Sequence, residues 1–214
     1  MKFFLKIILI ILTFTSVVSG GEIVKVFEFT AEELKNLKEK KVKGKTSWSL
    51  GSNENGKYIR AEAEGTGSGL GKEILIDLNE TPFINITWKI EKDLPGIVEN
   101  SKKGHDYAAR VFVIKKTGAT ALSNRAINYV FSSNNSIGES WSSPYTKKSI
   151  DYVLSTTQNK LNEWVTVKAN VKSHFKQLHN LQVNKLNGVA IMTDTDNSKL
   201  KAISYYQNIY FSSE

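Results

Sequence analysis

Charged side chains stand where a strand pattern calls for apolar ones. Asp106 and Arg110 bracket Ala108 and Ala109 at the head of Val111-Phe112-Val113-Ile114, and Asp194, Asp196 and Asn197 follow directly on Val189-Ala190-Ile191-Met192. A charge held against a core is costly unless it is paired, hydrogen-bonded or bound to a metal. These positions therefore mark either an ion-binding corner of the fold or a working site.

Asp106, Ala108, Arg110, Phe112 and Ile114 share one face of a strand, because side chains alternate along it. At about 3.3 Å per residue, Asp106 and Arg110 stand roughly 13 Å apart, too far for a direct ion pair. Each needs its own partner, and Ala108 leaves room between them for a shallow polar hollow. The plainer alternative is that Asp106 caps the preceding turn while Arg110 pairs with a sheet-edge carboxylate.

Asp194-Thr195-Asp196-Asn197 gathers carboxylate and amide oxygens of the kind that hard cations take. An EF-hand is excluded, since Ser198-Lys199-Leu200 supplies neither the required glycine nor a closing glutamate. The expectation is a structural calcium held by Asp194, Asp196 and Asn197. A turn whose Asp and Asn side chains bond their own backbone is the alternative.

Trp88, Tyr129, Trp141, Tyr145, Trp164, Tyr205 and Tyr206 are either core residues or exposed platforms for sugar rings. Trp88 sits on the apolar face of its strand. Trp141 and Tyr145, around Ser142-Ser143-Pro144 in an apparent loop, are the best platform candidates. With Asp106 and Arg110 they form the expected ligand site.

Common enzyme signatures are missing. Gly65 to Gly71 fails the dinucleotide and phosphate-loop spacings, and a strand rather than a helix follows, so no organic cofactor is expected. Ser68 lacks a nucleophile elbow. His105, His174 and His179 lack zinc spacing, and there is no cysteine to help. His174 and His179 are expected on a solvated helix face. An acid–base pair of Asp106 with Asp194, Asp196 or Glu99 stays open, because sequence does not show distances.

The elements that must position these residues are strands. Period-two alternation runs through 58–63, 74–78, 85–91 and 165–171, with further strands expected at 23–29, 107–115, 126–132, 149–154, 188–193 and 203–211. Turn signals separate them: Asn53 to Gly56, Gly65 to Gly71, Pro95-Gly96, Lys103-Gly104 and Ser133 to Gly138. Thr30 with Glu33 resembles a capping box ahead of Leu34 and Leu37, and 172–180 fits a short helix with Phe175 and Leu178 inward. The expected fold is all-β: a single antiparallel β-sandwich with one or two short helices.

The first twenty residues read as a signal peptide. Lys2 and Lys6 precede an uncharged run from Ile7 to Val18, and Val18-Ser19-Gly20 offers small residues for cleavage. That run is well short of the roughly 20 residues that span a bilayer. The mature chain, 21–214, is expected as one domain, exported to the periplasm or beyond and not membrane-integrated. The formal charge of +8 falls by two once Lys2 and Lys6 are removed. Apart from Lys38, Lys40, Lys41, Lys43 and Lys45, taken as a solvated connector, the lysines are scattered, and no nucleic-acid partner is expected.

Several motifs occur together in order: Gly67-Ser68-Gly69-Leu70, Thr87-Trp88-Lys89-Ile90, Gly104 to Val113, Asn128-Tyr129-Val130-Phe131-Ser132, Ser143-Pro144-Tyr145, Ile191 to Asn197 and Tyr205 to Ile209. This set resembles the exported bacterial family of unknown function DUF3047 over nearly all of 23–212. The resemblance implies a jelly-roll sandwich like the galactose-binding-like carbohydrate modules, and carries no activity. The family usually shows an acidic residue at the position of His105, a departure that weakens any mechanism needing adjacent carboxylates there. The functional expectation is a non-catalytic binding module of the cell envelope for a carbohydrate or other polar ligand. The alternatives are a structural or assembly protein, or a polysaccharide hydrolase using Asp106 with Asp194 or Asp196.

Overall fold

The computed structural model describes residues 21–214, so the expected leader at 1–20 lies outside the described residues. The first strands are β1 (Ile23–Lys25), β2 (Lys38–Lys43), β3 (Ser47–Asn53), β4 (Gly56–Glu64), β5 (Gly67–Asp77), β6 (Phe83–Lys92) and β7 (Tyr107–Lys115). The remainder are β8 (Arg125–Ser132), β9 (Ser140–Ser143), β10 (Thr146–Thr156), β11 (Trp164–Asn170), β12 (Lys185–Asp194) and β13 (Lys201–Ser212). Two helices, α1 (Ala31–Asn36) and α2 (Val171–His179), complete the regular elements.

The strands form two sheets. A six-stranded sheet runs β11-β6-β13-β4-β3, with β1 also on β13; a seven-stranded sheet runs β2-β5-β12-β7-β8-β10-β9. Inward-facing Ile59, Ala61, Ile86 and Trp88 of the first sheet join Val111, Val113, Ile127, Val189 and Ile191 of the second in one hydrophobic cluster. Burying each large aliphatic side chain contributes about 1.5–3 kcal/mol, which the alternating pattern collects from both layers. The expected β-sandwich is the fold. One pairing departs from antiparallel: β10 lies parallel to β8. A parallel neighbour needs a return path, and β9 supplies it by running back along the outside of β10.

Three strands were hidden in the sequence. The Lys38–Lys43 segment is not a solvated connector but β2, the sheet edge on β5. Lysines suit that place because they discourage a further strand from pairing. The pairing of β3 with β4 continues through a tight turn at Asn53–Gly56. The third is β9, read as loop. The expected turn at Gly65 to Gly71 becomes strand from Gly67 onward, and the expected strand at 23–29 ends at Lys25.

Both expected helices form, α1 from its expected capping box and α2 from a cap the sequence reading did not name. Thr30 Oγ1 accepts from Glu33 N at 3.1 Å, while the Glu33 carboxylate accepts from Glu28 N and Phe29 N at 2.7 and 2.8 Å. Asn170 Oδ1 accepts from Ser173 N at 2.9 Å to open α2, and Asn180 closes it in the left-handed conformation. Phe175 is fully buried beneath α2. His174 and His179 are not on a solvated face: His174 Nδ1 lies 3.1 Å from Tyr129 Oη, and His179 Nε2 lies 2.9 Å from Ala126 O. The helix packs sideways on β8, so both rings turn inward, and burial lowers both pKa values. Among the described residues, no helix is long and apolar enough to cross a membrane.

Candidate functional site

Strand register sets the outward residues of the seven-stranded sheet in rows. Lys38, Gly71, Ala190, Phe112, Asn128 and Asp151 make one row, and Lys40, Gly69, Met192, Arg110 and Val130 the next. Glycines and an alanine on β5 and β12 leave a trough between the lysines of β2 and the larger side chains of β7. The result is a groove of about 670 Å³, floored by Gly69, Gly71, Gly188 and Ala190 and walled by Lys38, Lys40, Phe112, Ile114 and Met192.

One end of the groove is polar and tightly bonded. Arg110 is buried, and its guanidinium grips Asp194 at two points: Nε to Oδ1 at 2.9 Å and Nη2 to Oδ2. Nη2 also donates to His105 O at 3.3 Å, and the guanidinium lies 4.7 Å from the Tyr107 ring centroid. Burial pushes the Asp194 carboxyl up to about 7, against the pull of Arg110, while Asp194 holds the guanidinium above its ordinary value. The first shift disfavours a charged pair and the second favours one. The two-point geometry decides for carboxylate facing guanidinium once Asp194 has lost its proton.

Asp106 does something different. It accepts from Ser198 N at 2.5 Å, from Asn197 N at 3.2 Å and from Asn197 Nδ2 at 2.9 Å. It therefore caps the turn that follows β12, not the turn before its own strand. Tyr145 Oη donates to Asn197 Oδ1 at 2.7 Å and fastens the same turn from the far side. Gly67 is required here, since a Cβ would stand 2.7 Å from Asp196 Oδ1 and 2.8 Å from Asp194 Cβ.

The calcium expectation meets this geometry directly. Asp106, Asp194 and Asp196 bring carboxylate oxygens within 4.8 Å of one another. Yet Arg110 occupies Asp194, backbone N–H groups occupy Asp106, and Tyr145 occupies the Asn197 oxygen. Only Asp196 Oδ1 is buried without a partner, where calcium takes about 6–8 oxygens. The donor set does not fit calcium as it stands: a guanidinium already supplies the positive charge.

The structure brings Asp106, Arg110, Tyr145, Asp194, Asp196 and Asn197 together and leaves Trp141 apart. Arg110, Tyr145, Asp194, Asp196 and Asn197 line the groove. Trp141 is not an exposed platform in a loop; it lies on β9 and packs on Tyr107, Val130 and Val153. Glu99 is also elsewhere, accepting from Ser132 Oγ, Ser133 N and Asn134 Nδ2 to hold the loop after β8.

Sequence reasoning missed a second polar group beneath the groove. His105 Nε2 lies 2.8 Å from Asp151 Oδ2, and Asn128 Nδ2 donates to Asp151 Oδ1 at 2.7 Å and to Ser149 Oγ at 2.9 Å. Asp151 is fully buried and can only accept as a carboxylate, which places the His105 proton on Nε2 and fixes the Asn128 amide. Asn128 Oδ1 is left buried, without a partner, in the groove lining. The signal was present: Asn128 and Asp151 interrupt Ala126-Ile127 and Tyr129-Val130, and Ile150 and Tyr152-Val153, as Asp106 and Arg110 interrupt theirs.

The two-layer sandwich is also the fold of known carbohydrate-binding modules. A family 11 carbohydrate-binding module from Clostridium thermocellum, solved with a β-1,3-1,4-mixed-linked tetrasaccharide, superposes with TM-score 0.52 at 11% identity, covering 89% of this chain and 95% of that one. A family 30 module of a cellulosomal cellulase of Clostridium thermocellum gives TM-score 0.51 at 9% identity, covering 90% and 98%. At these identities the likeness is one of fold. No curated protein matches the sequence. The family model described as protein of unknown function (DUF3047) matches residues 32–210, and the chain belongs to that family.

Proposed function

We propose that this protein is an exported, non-catalytic binding module that holds a saccharide in the groove over its seven-stranded sheet. The observation that carries the reading is the polar lining of the groove, where Asn124, Asn128 and Asp196 each hold a buried side-chain oxygen with no protein donor. Leaving such a group unmet costs about 1–3 kcal/mol, and a sugar hydroxyl supplies the missing donor. The groove is also the right kind of space: long, walled by Phe112, Ile114 and Met192, and carrying a few fixed polar groups at one end. The carbohydrate-binding modules with the same fold support this choice of ligand class by analogy of fold. Export rests on Lys2, Lys6, the apolar run from Ile7 and the small residues to Gly20.

The alternative of an acid–base pair, Asp106 with Asp194 or Asp196, is the second reading: the three carboxylates lie together and burial raises the Asp194 pKa. But Asp106 is held by backbone N–H groups and Asp194 by Arg110, which leaves Asp196 Oδ1 alone without a partner among them. The test is a saccharide titration followed by amide chemical shifts. Binding should move Gly69, Gly71, Ala190 and Asn128 and leave Thr166 and Lys168 on the six-stranded sheet unmoved. Shifts confined to the six-stranded sheet, or no saccharide bound from a broad glycan panel, would remove the reading.

A further inference from the structure

Two features of the groove make different demands on whatever fills it. On β2, Lys38 and Lys40 stand on the groove side by strand alternation. Lys38 Nζ reaches one oxygen of Glu73 at 2.7 Å, and Lys116 Nζ, arriving from the end of β7, reaches the other at 3.1 Å. Two ammonium groups thus share a single carboxylate. Lys40 has no acidic partner among the described residues, though Lys45 nearby pairs with Glu39. This wall carries more positive charge than the protein itself neutralises. Across the sheet, Asn128 Oδ1 needs a hydrogen-bond donor.

A simple anion would answer the lysines and leave Asn128 unmet, since it brings no hydroxyl. A neutral sugar would answer Asn128 and leave the lysine wall without a counter-charge. Neutral glycans are also held by stacking on flat rings; the strands of this groove present Phe112 beside a floor of glycines, and the one exposed ring, Tyr145, stands at the polar end and is tied to Asn197. Resting on the saccharide reading above, we infer that the ligand is an acidic oligosaccharide, its carboxylates facing Lys38, Lys40 and Lys116 and a hydroxyl bonded to Asn128. Lys38 and Asn128 lie in one row four strands apart, about 19 Å at roughly 4.8 Å per strand. No single sugar ring bridges that distance, so the two contacts fall on different rings. The net positive charge of the chain adds long-range attraction for such a polymer.

The experiment is calorimetric titration of the mature protein with an oligouronide and with a neutral gluco-oligosaccharide of equal length, at low and high salt. The oligouronide should bind at least tenfold tighter, and weaken with salt as exposed charge contacts do. Lys40→Glu should lose that tenfold preference with its melting temperature unchanged, because the side chain is exposed and makes no ion pair. Lys40→Arg should retain it. A sulfated oligosaccharide that binds with the same dependence on Lys40 supports the charge requirement from another acid. Equal affinity for the neutral oligosaccharide, or indifference to Lys40→Glu, overturns the inference while the saccharide reading stands. If neither oligosaccharide binds, both fall together.

Discussion

Arg110 and Asp194 show how one residue's role changes with its partner. The sequence leaves Arg110 either lining a polar hollow or pairing with a sheet-edge carboxylate; the structure makes it the counter-ion of Asp194, more than eighty residues away. Removing one partner of a buried pair leaves an uncompensated charge, so Arg110→Ala should lower stability by about 3–5 kcal/mol in urea unfolding. A loss below about 1 kcal/mol would mean the pair behaves as an exposed one. Asp194 adds a pH dependence. Its folded value of about 7 lies above the ordinary 3.8, so the folded chain binds this proton more readily than the unfolded one. Its contribution to stability is fully present below the ordinary value and is lost as pH rises toward 7. Carboxyl NMR titration should place the Asp194 midpoint near 7, and a midpoint near 3.8 would refute the desolvation account.

Elements differed in how plainly they could be read. The strands β6 and β11 follow period-two alternation and emerged close to the expected bounds, because one face of each packs on a core and the pattern records that contact; β7, an apolar run bracketed by charges, also emerged at its expected bounds. Charged β2 escaped notice because edge strands are held by backbone hydrogen bonds on one side, which place little demand on side-chain type. Short β9 escaped because its neighbour in space, β10, comes later in the chain and inserts between it and β8. The same insertion sets Trp141 opposite Asp151 at the edge of the groove face, packed on Tyr107, Val130 and Val153 and clear of the groove lining, which no local pattern announces. The capping residue Thr30 fared well, since a cap bonds a backbone N–H only three residues ahead; Asn170, which caps α2 in the same way, went unread.

At the scale of the whole molecule, the sandwich carries a groove across its seven-stranded sheet, and the proposed role of that groove depends on where the protein is delivered. If the leader is cleaved as proposed, intact mass of the exported protein should match a chain beginning near Gly21; a mass that retains Lys2 and Lys6 would contradict it. The sequence by itself determined the all-β character, the cap at Thr30, the family and the residues too polar for their strands, because burial writes a period of two and a lone charge in an apolar run stands out wherever it lies. Only the tertiary structure decided that Arg110 meets Asp194, that Asp106 caps the turn after β12, and that Lys38 and Asn128 share a row. Those relations join segments from β2, β7, β8 and β12, and strand order and register, set by packing across the two layers, are not local properties of any one of them.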